Sequence, residues 1–413
     1  MISGSQRAVA ERTAATRHGF RGIAVTEVMI VDFSWTEEDD ALRGDLRAYL
    51  EDNLMPGWTH IERDMPTQAT IDEVIRFCTG LAERGLLTPA WPVEYGGRGA
   101  SEWEQTVISE ELWGAGEPRG PQYMNVNWIG PAVNQLGSPE QQEQYLGAIG
   151  RGEAMWCQGF SEPDAGSDLA ALKTSAVRDG DVYIVNGQKI WTSYAHAADY
   201  CFLLVRTAQT SNPRRGISVL LVPMSLKGIE VREIPTLGIR HLVHEIFFQD
   251  VAVPVACRLG EENEGWNIIR NLLAGERAGN ARHEWVDRTL DKLVDEAIEA
   301  PDVDTADPRF FETLGRAAAW TAASRVLNYV AVQARSDDSK EYPNHAATYR
   351  ASMAQMELGT AQAFTDVLGQ HALLESSRGD YQLISGTLST LGGGSLEMQL
   401  NNVAWYQLGL PKG

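Results

Sequence analysis

Two stretches of this chain have the residue types and spacing to hold a flat, polar ligand. The first is Ser161-Glu162-Pro163-Asp164-Ala165-Gly166-Ser167-Asp168. Small residues and hydroxyls surround a proline, which makes a rigid loop whose backbone N–H groups and hydroxyls can approach a ligand closely. Taken alone, it reads equally well as a capped turn. The second is Asn186-Gly187-Gln188-Lys189-Ile190-Trp191-Thr192-Ser193. An indole followed by two hydroxyls offers a ring face beside two hydrogen-bonding groups. Together the two stretches suit a flavin, with the loop and hydroxyls along its pyrimidine edge and Trp191 packed on the ring. The plainer alternative is a core tryptophan beside ordinary strand hydroxyls.

Other candidates are weaker. Glu276-Arg277 follows a helical stripe of Trp266, Ile269 and Leu273, which places the pair about three turns into a helix. A solvated ion pair is the bland reading, but adjacent helix residues do not face each other. His241 and His244 read as exposed-loop histidines, and no carboxylate or cysteine set surrounds them, so no metal site is expected. The acidic stretch 284–299 reads as a solvated helix face.

The elements that must position these groups change period along the chain. From Trp35 to about Ala154, apolar residues recur at helical spacing, as in Leu42, Leu46, Tyr49 and Leu50, or Ile71, Val74, Ile75 and Cys78. Ser34 or Thr36 before Glu37-Glu38-Asp39 is a helix start. Pro89, Pro92, Gly96, Gly97 and Gly99 break the pattern into a long ordered loop. From about Met155 to Val255 the period is two. Strands are expected at Val182–Val185, Gln188–Trp191, Tyr200–Arg206, Ile217–Pro223, Ile229–Ile234 and Glu245–Val253. Asn186-Gly187 is read as a two-residue hairpin turn, and Asp179-Gly180 marks another turn. Beyond Gly265 helices return. Val286, Leu290, Leu293, Val294 and Ile298 form one stripe, and Phe310–Arg335 and Ala346–Leu374 are long and rich in alanine.

The chain has 413 residues, 43% hydrophobic and 22% charged, which is ordinary globular composition. Its net charge of −21 argues against nucleic acid or an anionic membrane surface as the main partner. No apolar run approaches the roughly 18–20 residues needed to span a bilayer. Four cysteines without a CxxC pair fit buried thiols in a reducing cytoplasm. The first 28 residues hold Arg7, Arg12, Arg17 and Arg21 against Glu11 and Glu27. Such a start can resemble a transit segment, although a disordered leader ahead of a fold beginning near Met29 is the expectation adopted.

At this point the chain resembles the acyl-CoA dehydrogenase family. The resemblance runs from about residue 33 to the end. It rests on Pro92-Val93-Glu94-Tyr95-Gly96-Gly97, on the two stretches above, and on Ala198-Asp199 and Arg215-Gly216-Ile217-Ser218. Asp250-Val251-Ala252-Val253-Pro254, Gly260-Glu261-Glu262-Asn263, Gly265-Trp266 and Leu408-Gly409-Leu410-Pro411 complete the ordered set. It implies an α+β multidomain fold. A leader at 1–30 precedes an N-terminal helical domain at 31–154, a middle antiparallel β-barrel or sandwich at 155–259 and a C-terminal four-helix bundle at 260–413.

The resemblance implies FAD as cofactor and acyl-CoA as substrate. The α-proton of the thioester goes to a carboxylate base, and the β-hydrogen leaves as hydride to the flavin. Gln158, Gly159, Phe160 and Ser161 would line the flavin edge, Trp191 would pack on it, and Thr192 and Ser193 would bond near N5 and O4. Ser167 would sit at the mouth, near both flavin and substrate. Ser395 and Glu397 weakly match positions that contact the adenine half.

Many members carry the base in the last loop, which here reads Leu391-Gly392-Gly393-Gly394-Ser395. Gly393 takes that place. It can still hydrogen-bond the thioester carbonyl through its N–H. Other members place the base on a C-domain helix just before an arginine, and Leu273-Ala274-Gly275-Glu276-Arg277 matches that pattern. Glu276 is therefore expected to be the base, with a pKa raised by an apolar pocket, and Arg277 to help hold substrate. Three glycines also widen one wall, which suggests a branched, long or bulky acyl group. The segment that contacts a neighbouring subunit's flavin departs from the family pattern at Ala334–Pro343 and at Asp366–Ala372. Both a homo-oligomer with altered contacts and a heteromeric complex, dimer or tetramer, fit this. The implied electron acceptor is an electron-transferring flavoprotein. An oxygen-using oxidase or monooxygenase of the same fold, or a partner subunit in a heteromer, remain alternatives.

Overall fold

Thr36 opens helix α1 (Glu37–Asn53) with a capping box, in which Thr36 and Asp39 satisfy each other's free backbone N–H. This computed structural model describes residues 35–60, 67–236, 242–276, 280–300, 303–373, 378–392 and 394–412. The start expected at Ser34 or Thr36 is therefore Thr36. Helices α2 (Gln68–Ala82), α3 (Glu102–Gly114) and α5 (Pro139–Gly150) follow. Between α3 and α5 lies α4, residues 122–136, formed by Gln122–Met124, a π-helical turn Asn125–Ile129 and Gly130–Leu136. Gly130 lies under Trp91: a Cβ there would fall 2.0 Å from the indole. Gly130→Ala is expected to lower stability by about 1–3 kcal/mol, readable as a shift in the urea midpoint.

Strands β1 (Trp156–Gly159), β2 (Ser175–Asp179), β3 (Val182–Ser193), β4 (Tyr200–Arg206), β5 (Ile217–Pro223), β6 (Ile229–Glu233), β7 (Val243–Pro254) and β8 (Arg258–Leu259) come next. They hydrogen-bond in the order β6-β7-β3-β2-β4-β5-β8, with β1 parallel to β4. On β4, Phe202 and Leu204 face the N-terminal helices, while Leu203 and Val205 face the inner β core with Tyr183, Val185 and Phe248. Burial on both faces explains why β4 and β5 read as continuous apolar runs.

One turn expectation fails. Asn186-Gly187 is not a hairpin tip, because β3 runs straight through it and the β2–β3 turn lies at Asp179–Val182. Asn186 instead exchanges hydrogen bonds with Asp250 on β7, at 3.0 and 2.9 Å. Glycine is required next to it because a Cβ at 187 would sit 2.5 Å from the Thr174 hydroxyl. Tertiary pairing turns a hairpin signal into a bulge, visible as a register shift between Val185 and Gly187.

Helices α6 (Gly265–Glu276), α7 (Arg282–Glu299), α8 (Pro308–Ser336), α9 (Tyr342–Leu368), α10 (Arg378–Ser389) and α11 (Leu396–Asn402) close the fold. The predicted stripe on α7 holds for Val286, Leu290 and Leu293, but Ile298 is exposed. A buried charge network joins α3 to the bundle. Glu110 and Glu111 pair with Arg43 of α1, and the Tyr329 hydroxyl of α8 donates to Glu110 at 2.6 Å. Burial pushes the Glu110 carboxyl up, but hydrogen bonds from His283, Tyr329 and Arg43, with the Arg43 charge, hold it below the usual range. All four cysteines are free and buried. No described helix is long and apolar enough to cross a membrane.

Candidate active site

The two candidate ligand-binding stretches are brought side by side by one buried ion pair. Lys189 lies on β3 in phase with the inward residues Tyr183 and Val185 and is fully buried. Its ammonium donates to Glu162 at 2.8 Å and to the Phe160 carbonyl at 3.0 Å. Glu162 also accepts from the backbone N–H groups of Lys173 and Thr174, at 2.6 and 2.8 Å. The Ile190 N–H donates to the Ser161 carbonyl at 2.9 Å. Burial alone would raise the Glu162 carboxyl, but the Lys189 charge and these donors outweigh it and hold the pKa below its ordinary value. Burial lowers the pKa of Lys189 itself, against the opposing pull of Glu162.

This frame fixes Gln158, Gly159, Phe160 and Ser161, at the end of β1, against Trp191, Thr192 and Ser193, at the end of β3. Trp191 adopts a left-handed backbone (φ 61°) at a bulge between Lys189 and Thr192, which turns its indole outward to 57% exposure. Strand alternation sends Thr192 inward and leaves Ser193 half-buried on the other side. Ser167 is exposed on the same loop, beyond the turn closed by the Glu162–Ala165 bridge. Gln158 carries a buried Nε2 without a hydrogen-bond partner among the described residues. A buried amide donor calls for an acceptor, and a heteroaromatic ligand edge with acceptor atoms meets that need. The residues present therefore fit a flavin.

Other expected residues lie elsewhere. Glu276 ends α6, which packs on β5 and on the π-helical turn of α4. Arg277, Gly393 and His241 lie outside the described residues. Ser395 caps α11 and accepts from the Met398 N–H at 3.4 Å, and Glu397 is exposed in the first turn of that helix. The preceding loop is tied down by Arg350, which donates to the carbonyls of Ser389 (2.6 Å) and Gly392. His244 corrects the loop-histidine reading. On β7 it pairs with Thr192 of β3, is 3% exposed, and packs on His196 with ring centres 4.7 Å apart. A groove of about 760 Å³ runs beside these histidines. Glu110, His283 and Glu284 also converge. Arg43, Tyr329 and Arg325 already hold those carboxylates, so the cluster reads as an ion-pair joint.

A second cavity, of about 130 Å³, lies between α3, α4 and the loop 87–91. Its lining includes Trp91, Ile108, Tyr123, Val126 and Trp128 together with Thr88, Ser109 and Asn280. Asn280 lies close beyond Glu276 in the sequence, and the Ala281 N–H bonds to Ser109 at 3.3 Å.

The chain's own N-terminal and middle segments match the family models "Acyl-CoA dehydrogenase, N-terminal domain" over residues 36–153 and "Acyl-CoA dehydrogenase, middle domain" over residues 157–251. The chain belongs to the acyl-CoA dehydrogenase family. It is 32% identical over 404 residues to acyl-CoA dehydrogenase FadE26 of Mycobacterium tuberculosis, covering 92% of this chain and 98% of the relative. Acyl-CoA dehydrogenase IpdE1 of the same organism is 31% identical over 393 residues, covering 91% and 99%. Among solved structures, the Tcur3481-Tcur3483 steroid ACAD superposes with a TM-score of 0.83 at 31% identity, covering 93% of this chain and all of that one. The ChsE4-ChsE5 complex of M. tuberculosis matches with a TM-score of 0.80 at 31% identity over the same shares. The acyl-CoA dehydrogenase fold is thus present here: helical N-terminal part, middle β part and helical C-terminal part. Glu162 and Lys189 stand 27 positions apart, so nothing local in the sequence marks their pairing. The available signal was a lysine in phase with apolar strand residues. Thr88 carried no signal at all.

Proposed function

We propose that this acyl-CoA dehydrogenase binds FAD and oxidises a bulky acyl-CoA to its trans-2-enoyl thioester, with Glu276 as base. The observation that carries the flavin reading is the Lys189–Glu162 frame, which sets the loop at Gln158–Ser161 against Trp191–Ser193, beside a Gln158 Nε2 with no partner among the described residues. Bound FAD would supply the two-electron acceptor. Ser161 and Ser193 would hold its pyrimidine edge, Thr192 would contribute through its backbone, and Trp191 would cover the ring. Ser167 would stand at the mouth, and Ser395 and Glu397 near an adenine half. Glu276 would take the α-proton, the N–H of Gly393 would hold the thioester oxygen, and Arg277 would assist substrate binding. The domain limits 31–154, 155–259 and 260–413, with a leader at 1–30, belong to the same proposal.

The cavity between α3 and α4 is assigned to the acyl tail, because the helix bearing Glu276 packs on the turn that lines it. Its volume is near that of an engineered cavity of about 150 Å³ that takes benzene, so a ring or a branched group fits. A steroid ACAD among the structural neighbours agrees with a bulky substrate. In a panel of acyl-CoAs, butyryl-CoA should not be the fastest to bleach the flavin. A panel led by butyryl-CoA would overturn the bulky-substrate reading.

The proposed acceptor is an electron-transferring flavoprotein. Rapid reoxidation of the reduced enzyme by air would favour an oxidase instead. Arg335, in the segment that departs from the family pattern, is engaged by the chain's own Glu102 at 2.5 Å, which fits either a homo-oligomer with altered flavin contacts or a heteromeric assembly. The neighbour that is a ChsE4-ChsE5 complex is consistent with such a partner.

A further inference from the structure

We infer that the acyl tail oxidised by this enzyme carries an uncharged oxygen function, a ketone or hydroxyl, held by Thr88. The inference rests on the proposed assignment of the cavity between α3 and α4 to the acyl group. A pocket for a plain hydrocarbon tail has no use for buried hydroxyls, since each polar group left unpaired in a dry cavity carries a desolvation cost. Thr88 is 1% exposed, lines this cavity, and its hydroxyl has no hydrogen-bond partner among the described residues. Ser109, which accepts from the Ala281 N–H, and Gln105, which donates to the Ala100 and Ser101 carbonyls, line the same cavity but already have partners, so the inference rests on the Thr88 hydroxyl.

The charge of the missing partner follows from the two arginines at the cavity. Arg119 is 4% exposed and bound in a fork to Glu117, at 2.7 and 2.8 Å. Arg335 is paired with Glu102 at 2.5 Å. Both positive charges are thus neutralised within the chain. A carboxylate on the substrate would have to break one of these pairs and leave a glutamate uncompensated. A carbonyl or hydroxyl oxygen need only accept from, or donate to, the Thr88 hydroxyl. The aromatic wall of Trp91, Tyr123 and Trp128 would lie along the carbon frame of such a tail.

The test compares two CoA thioesters that differ only in one ring carbonyl, 3-(4-oxocyclohexyl)propanoyl-CoA and 3-cyclohexylpropanoyl-CoA, on the purified flavin-loaded enzyme. The readout is the ratio of their kcat/KM values, measured with an artificial dye acceptor. The wild type is expected to favour the oxo ester by about tenfold, the worth of one neutral hydrogen bond. Thr88→Val should bring the ratio close to one, and Thr88→Ser, which keeps the hydroxyl, should retain it. Equal ratios in wild type and Thr88→Val, or a wild type that favours the hydrocarbon ester, would overturn the inference while leaving the dehydrogenase reading intact. Failure of every acyl-CoA to reduce the flavin would overturn both.

Discussion

Replacing Glu276 with glutamine should leave the flavin spectrum unchanged and slow its anaerobic bleaching by acyl-CoA about 10²–10⁴-fold, the span expected for losing a positioned general base. The amide is close in shape but cannot accept the α-proton. The last loop offers no substitute, because Gly393 stands where the resemblance implies a carboxylate in many family members. Helix α6, which carries Glu276, packs on the turn lining the proposed acyl cavity. A glutamine variant that bleaches at the wild-type rate would assign the base elsewhere.

Replacing Lys189 with methionine is the second large effect expected. The methionine fills the buried stem but removes the ammonium, and Glu162 is left buried with only backbone donors. Removing one partner of a buried pair costs about 3–5 kcal/mol. The Phe160 carbonyl also loses its donor, so the loop beside Trp191 should loosen and FAD should be released more readily on dilution. Chemical denaturation and the bound-flavin ratio would show both effects. The double variant Lys189→Met/Glu162→Gln should recover part of the loss, because it no longer buries a bare charge. Full wild-type stability in the single variant would show that the pair does not brace the loop.

The same pair sets a pH dependence. The folded pKa of Glu162 lies below its unfolded value of 4.5. Its stabilisation is therefore complete above that value and is lost as the pH falls through the folded pKa. Glu110 behaves alike. The denaturation midpoint should fall steeply on acidification below about pH 4.5, and Glu162→Gln should flatten that slope.

Much of this could be read along the chain. The change from helical to two-residue period and back is a local property, because burial of one face imposes it on each element separately. The acyl-CoA dehydrogenase family was likewise legible, since its motifs are short contiguous runs of sequence. Thr36 was legible as a cap for the same reason: its partner Asp39 lies within one turn.

What the sequence could not show depends on residues far apart in it. Asn186-Gly187 looked like a hairpin because its competing partner, Asp250, is 64 positions away. His244 looked exposed because only its pairing with Thr192 and packing on His196 bury it. Thr88 had no pattern around it and gained meaning only when α3 and α4 enclosed it. The loop at Ser161–Asp168 and the strand at Asn186–Ser193 suggested a candidate ligand site by residue type. Which face each hydroxyl takes, and the Lys189–Glu162 pair that holds the two stretches together, were decided by tertiary structure, because a buried charge finds its partner through space rather than along the chain.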